Sequence, residues 1–134
     1  MTAQAQTVAA VAQRGYLNGF TDDELFTRQL AKLAEELAEL AAHVEVDDPV
    51  LEDFLGKLVM LGKPARRIFD RPAAFVGACV MDTPAAISEL TDCAVVLAVA
   101  AHALDVPDLM YAASVKARQD VTRGVRANGN SRQS

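Results

Sequence analysis

The pattern of leucines and alanines between residues 22 and 44 most constrains how this chain can fold. An α-helix has about 3.6 residues per turn, so apolar residues spaced alternately three and four apart share one face. That spacing holds for Phe26, Leu30, Leu33, Leu37, Leu40 and Val44, and a second side carries Ala31, Ala34, Ala38, Ala41 and Ala42. A helix that is apolar on two sides is expected to pack on two sides, and its polar residues would then line a groove.

Acidic residues dominate the polar face of this predicted helix. Glu39 follows Glu36 by three residues and Glu35 by four, so helical geometry makes Glu39 a neighbour of both. Taken alone, these three residues also fit a solvated helix face with internal ion pairs. A second acidic cluster is needed to favour a ligand site.

Glu89 and Asp92 form that second cluster, again three residues apart in a predicted helix. From residue 93 to residue 104 the only polar side chain is His102, so we expect this helix to be buried. Carboxylates that are crowded together at a protein interior either take up protons or bind cations, and their hard oxygens suit Mg²⁺ or Mn²⁺. The two clusters together predict a divalent-metal site.

The order of these clusters resembles the MazG-like all-α nucleoside triphosphate pyrophosphohydrolases, in which Glu-Glu-x-x-Glu precedes Glu-x-x-Asp. Two further stretches are similar to the family's: Gln29-x-x-Lys32-Leu33-x-Glu35-Glu36 and Leu104-Asp105-Val106-Pro107. The family often has Lys-x-x-x-Asn-x-x-Arg near its end, where this chain has Lys116-x-x-x-Asp120-x-x-Arg123. Asp120 therefore departs from the family pattern, and its role stays open. The matching residues, 14–44 and 85–124, span about half of the chain.

The resemblance implies a Mg²⁺-dependent enzyme, with Mn²⁺ as a substitute. It would hydrolyse an NTP or dNTP at the α-phosphorus to the monophosphate and pyrophosphate, a housecleaning reaction of the nucleotide pool. Carried over by position, the metal ligands would be Glu36, Glu39, Glu89 and Asp92. Glu35 would be the catalytic residue that orients or deprotonates water. The phosphates would contact Lys32, Lys116 and Arg123.

Composition and helix signals favour an all-α fold, because Ala and Leu dominate and aromatic residues make up only 5%. We predict a single domain over residues 1–124, built as an antiparallel bundle of about four to five helices, with a flexible tail over 125–134. Thr21 and Glu24 predict a capping box before a helix over 22–43, and Thr83-Pro84 predicts the start of a helix to residue 104. Helices this apolar need more cover than one chain supplies, so we expect a homodimer or homotetramer.

Residues 50–82 form a connection longer than the hairpin usual in the family. Its first part, 50–61, predicts an amphipathic helix with Leu51, Phe54, Leu55, Leu58 and Leu61 inward, and Gly62 and Pro64 are expected to interrupt the chain after it. Phe69 lies in a Pro-flanked charged segment, so we consider it a candidate base contact with an exposed ring. The alternative is that Phe54, Phe69 and Phe75 are core residues and that Arg66, Arg67 and Arg71 form a solvated rim.

Charge and hydropathy narrow the class of protein further. A net charge of −5 without a basic face argues against nucleic-acid binding. The start of the chain lacks the features of a signal peptide, and the apolar run 93–104 is too short to cross a bilayer, so we expect a cytoplasmic protein without a membrane partner.

The competing interpretation is a non-catalytic acidic dimerisation or regulatory module, whose carboxylates pair with Lys32 and the arginines. A di-iron bundle is disfavoured because Glu-x-x-His is missing.

Overall fold

The computed structural model describes residues 1–71 and 82–123, with the backbone alone at residue 123. All regular structure in these ranges is helical, which confirms the all-α prediction, although there are more helices than expected. The helices are α1 (Ala3–Gln13), α2 (Asp22–Ala41), α3 (Pro49–Met60), α4 (Gly62–Phe69), α5 (Thr83–Ala103) and α6 (Leu109–Asp120), followed by a 3-10 turn at Val121–Arg123. The predicted tail at 125–134 and Phe75 lie outside the described residues.

The helices belong to two compact units. One unit contains residues 1–18 and 80–134; in it α6 packs against α1 and contacts α5, around the buried side chains of Ala10, Ala101 and Ser114. The other unit contains residues 19–79, in which α2 packs against α3 and α4. Between residues 19 and 71 of this unit, the buried residues are Arg28, Ala31, Glu35, Ala38, Ala41, Ala65 and Phe69.

Helix α2 begins with the predicted capping box. The backbone N–H of Glu24 donates to Thr21 Oγ1 over 3.2 Å, and the backbone N–H of Thr21 donates to Glu24 Oε1 over 2.9 Å. The helix ends at Ala41, two residues earlier than expected. On its alanine side Ala31, Ala38 and Ala41 are buried, whereas Leu30, Leu33, Leu37, Leu40 and Val44 are exposed. Within the described chain α2 therefore packs on its alanine side, and packing of the leucine side, for which we expect a partner subunit, stays a prediction.

Helix α4 begins a single residue after α3 ends, and Gly62 and Pro64 do not interrupt it. Pro64 is tolerated because it lies in the first turn, where a backbone N–H has no partner within the helix. A Cβ atom built on Gly62 would lie 3.2 Å from Ala38 Cβ, so this glycine lets α4 start close against α2. In contrast, Leu51, Phe54 and Leu61 are exposed, and the expectation that they point inward is wrong.

Helix α5 begins one residue before Pro84. Its N-cap is Asp82, which accepts a hydrogen bond from the backbone N–H of Ala85 over 3.2 Å, and not Thr83 as expected. Within the described chain, Ala101 is the buried residue of this helix. The cover expected for the rest of α5 would have to come from a partner subunit, and this stays a prediction. Of the described helices, α5 alone is long and apolar enough to cross a membrane, a test that core helices also pass.

Candidate carboxylate site on helix α2

The structure brings Glu35, Glu36 and Glu39 together, as their spacing predicts. One carboxylate oxygen from each residue can be chosen so that all three lie within 4.8 Å of one another. Glu35 is 5% exposed because it lies on the side of α2 that packs in the unit, whereas Glu36 and Glu39 are exposed. The cluster therefore has one buried carboxylate and two that solvent and ligands can reach.

Lys32 neutralises part of this acidic cluster. Its ammonium Nζ lies 2.7 Å from Glu35 Oε1 and 3.2 Å from Glu36 Oε1, so it bridges two carboxylates. The same nitrogen lies 5.0 Å from the centre of the Phe69 ring, within the range of a cation–π contact. Three contacts, with Glu35, Glu36 and the Phe69 ring, thus keep the Lys32 ammonium beside the carboxylates.

Arg66 is a second cation at the cluster, and it comes from α4. Its Nη1 lies 3.6 Å from Glu35 Oε2, and its Nε donates to Asp70 Oδ2 over 2.6 Å. The hydrogen bond to Asp70 raises the pKa of Arg66, and the nearby Glu35 carboxylate adds to this, while partial burial opposes it. The sequence assigns Arg66 no specific partner: it is part of a solvated rim or, in the regulatory module, one of the arginines that pair with the carboxylates. The four-residue spacing to Asp70 is the local signal for their ion pair.

Phe69 ends α4 in a buried position. It is 2% exposed, so the expectation of an exposed ring is wrong. The guanidinium carbon of Arg28 lies 4.3 Å from the centre of this ring and 4.0 Å from that of Phe20. Stacking of a base on the described Phe69 ring would first require that Arg28 move. The contact between Phe69 and a base stays a prediction.

Glu89 and Asp92 lie on α5 and are exposed. They belong to the unit made of residues 1–18 and 80–134, whereas Glu35, Glu36 and Glu39 belong to the other. The three-residue spacing between Glu89 and Asp92 falls within a continuous helix, as predicted. That Glu89 and Asp92 share a metal site with Glu36 and Glu39 stays a prediction.

Lys116 and Asp120 lie on α6, one turn apart. Both line a cavity of about 750 Å³ in which Tyr111, Val115 and Pro107 contribute apolar surface. Tyr111 is an exposed ring in this cavity, and sequence reasoning did not single it out. Arg123 belongs to the 3-10 turn after α6. Phosphate binding by Lys116 and Arg123 stays a prediction.

The donor set on α2 fits a hard divalent cation. Carboxylate oxygens are the ligands that Mg²⁺ and Mn²⁺ prefer, and three of them converge here from consecutive turns of one helix. Fold and site together define an all-α protein whose carboxylate cluster is paired with the cations Lys32 and Arg66. No family model, curated protein or solved structure matches the chain.

Proposed function

We propose that the protein is a Mg²⁺-dependent nucleoside triphosphate pyrophosphohydrolase that releases pyrophosphate from an NTP or dNTP. The observation that carries this proposal is the convergence of Glu35, Glu36 and Glu39 within 4.8 Å, beside the cation Lys32. An acidic surface can hold a triphosphate only through cations, and this arrangement supplies both oxygen ligands for metal ions and a lysine for phosphate oxygens. The order of the acidic motifs along the chain, which resembles the MazG-like enzymes, supplies the reaction type.

In this proposal the role of each site residue follows from its exposure and its charge. Glu36 and Glu39, which solvent reaches, would hold the metal ions together with Glu89 and Asp92 of α5. The ions, Mg²⁺ or Mn²⁺, would supply positive charge to the triphosphate and promote attack by water at the α-phosphorus. Glu35 would orient or deprotonate that water. Contact with the phosphates would come from Lys32, Lys116 and Arg123.

The proposal also includes assembly into a homodimer or homotetramer in the cytoplasm. The exposed leucines of α2 and the exposed length of α5 leave apolar surface that a partner subunit would cover. Glu89 and Asp92 lie in the middle part of α5, and carboxylates are costly at the centre of a bilayer. A protein partner therefore suits α5 better than a membrane does. The net charge of −5 gives no support to a nucleic-acid partner.

A second candidate function has its own support. If the protein is a non-catalytic acidic dimerisation or regulatory module, the carboxylates should pair with the chain's own cations. Lys32 pairs with Glu35 and Glu36, and Arg66 pairs with Glu35, as that candidate requires. Under this interpretation the ion pairs are permanent parts of the structure and Mg²⁺ has no role.

Pyrophosphate release separates the two candidates. Purified protein is incubated with each of the common NTPs and dNTPs, with Mg²⁺ and with a chelator, and pyrophosphate is measured alongside the monophosphate. We expect equal amounts of both products from at least one nucleotide, and only with Mg²⁺. Glu39→Gln is the control for a contaminating activity. No release from any nucleotide with wild-type protein would favour the regulatory module.

A further inference from the structure

The ammonium group of Lys32 contacts an oxygen of Glu36, a proposed metal ligand, and an oxygen of the neighbouring Glu35. Its Nζ contacts Glu35 Oε1 at 2.7 Å and Glu36 Oε1 at 3.2 Å, and both residues belong to the triad that can hold a cation. Mg²⁺ binds carboxylate oxygens at about 2.0–2.1 Å, so an ammonium and a metal ion on the same oxygens would be close like charges. The two positive charges would repel each other, so binding of a metal ion there favours departure of the ammonium.

Lys32 is the cation that can leave. Its side chain is 23% exposed, and four flexible methylene groups allow the ammonium to turn away from the carboxylates without movement of α2. Arg66 is more constrained, because its Nε is already bonded to Asp70 over 2.6 Å while its Nη1 faces Glu35. Arg66 can therefore keep its contact with the buried Glu35 carboxylate while Lys32 moves.

We propose that Lys32 is the internal counter-ion of the carboxylate cluster, and that a divalent metal ion displaces it and so makes its ammonium available to a phosphate. This inference rests on the proposed function, because it assumes that the cluster binds a metal ion. It adds an order of events: metal binding precedes phosphate binding at Lys32. It also gives the ion pairs of Lys32 with Glu35 and Glu36 a role, since they hold the ammonium beside the place where the triphosphate would bind.

The reactivity of Lys32 towards an acylating reagent tests the displacement directly. Wild-type protein is treated briefly with acetic anhydride, with and without Mn²⁺, and acetylation at each lysine is measured by mass spectrometry. We expect Lys32 to be acetylated about threefold faster or more with Mn²⁺, because its ammonium leaves two carboxylates. Lys57 is the internal control: it pairs with Asp53 over 2.9 Å, its side chain is 73% exposed, and no residue of the cluster is its partner in that ion pair. Its acetylation rate should not change.

Metal affinity gives an independent readout. Free Mn²⁺ is measured by electron paramagnetic resonance during titration of wild type, Lys32→Gln and Arg66→Gln, without nucleotide. If Lys32 competes with the metal ion, Lys32→Gln should bind Mn²⁺ about five- to tenfold more tightly than wild type. Arg66→Gln removes an equal charge from the same cluster without freeing Glu36, so its gain should be clearly smaller.

The outcomes distinguish this inference from the proposed function. Mn²⁺ binding by wild type with unchanged Lys32 acetylation, or with no gain in affinity for Lys32→Gln, would overturn the displacement and leave the metal site standing. Absence of Mn²⁺ binding by wild type would overturn the metal site itself, and the inference with it. Because the acetylation experiment uses wild-type protein, it remains decisive even if a variant fails to fold.

Discussion

The guanidinium of Arg28 lies on the ring of Phe69 and bonds to the backbone of the same residue. Its carbon is 4.3 Å from the ring centre, and its Nη2 and Nε donate to the Phe69 carbonyl over 2.9 Å and 3.3 Å. Both residues are buried, so two charge-assisted hydrogen bonds connect the end of α4 to α2 in a place that water does not reach. This contact decides what a substitution at Phe69 should do.

Phe69→Ala is expected to destabilise the fold by about 3–5 kcal/mol, because it leaves a cavity beside a buried guanidinium. Urea unfolding followed by circular dichroism measures the change. Ile68→Ala, at an exposed position of the same helix, should cost much less.

The base-contact hypothesis makes a different prediction: a folded Phe69→Ala protein would change the ratio of kcat/KM between two dNTPs. If every nucleotide loses rate by one factor, this ring does not select the base.

Glu39→Gln and Asp92→Asn should each abolish pyrophosphate release while the protein stays helical. Each substitution removes the charge of one proposed metal ligand and keeps the size of the side chain. Without metal, Glu39→Gln should unfold at the same or a higher urea concentration than wild type, because repulsion with Glu35 and Glu36 is relieved. Glu52→Gln, on α3, is a matched surface control. Full activity of both variants would contradict the proposed site.

The exposed leucines of α2 predict a stable oligomer. Multi-angle light scattering after size-exclusion chromatography should give the mass of a dimer or tetramer at micromolar concentration. Leu40→Asp should shift this mass towards that of the monomer, since it places a charge on the proposed interface. Val50→Asp, at a more exposed apolar residue on α3, should not. A wild-type protein that elutes as a monomer would refute the assembly.

The pair formed by Arg66 and Asp70 should contribute equally to stability at pH 6 and at pH 9. The pKa of Arg66 is raised in the folded protein, so its stabilisation is complete below the ordinary arginine pKa and is lost only as the pH rises through the folded value. A double-mutant cycle with Arg66→Gln and Asp70→Asn, measured by urea unfolding at both pH values, should give about 0.3–0.5 kcal/mol each time. A coupling that disappears by pH 9 would contradict the charge state assigned to Arg66.

Local signals explain what could be predicted from the sequence about the fold. The capping box at Thr21 and Glu24 and the continuous helix that carries Glu35, Glu36 and Glu39 depend on residues within one or two turns, so spacing alone was sufficient. Periodicity also identified two apolar sides of α2, but it could not tell which side packs within the chain. Ala31, Ala38 and Ala41 are buried and the leucines exposed because close approach of α4 favours the smaller residues.

Contacts between distant residues explain what was missed. Arg66 reaches Glu35 only because α4 folds back against α2, and no spacing in the sequence encodes that contact. The charged, Pro-flanked neighbours of Phe69 predict an exposed ring. Its burial instead depends on Arg28, which is 41 positions away in the chain. The N-cap of α5 is Asp82 and not the predicted Thr83. Both residue types are good N-caps, so sequence preference does not decide between these adjacent candidates.

The geometry of the carboxylate cluster depends on Gly62, a residue outside the cluster. A Cβ atom there would lie 3.2 Å from Ala38 Cβ, so a larger residue at this position requires α2 and the start of α4 to separate by a few tenths of an ångström. Arg66 lies one helical turn further along α4, and its contact with Glu35 joins the same two helices. The smallest residue of α4 therefore sets how closely this helix, and the guanidinium it carries, can approach the carboxylates of α2.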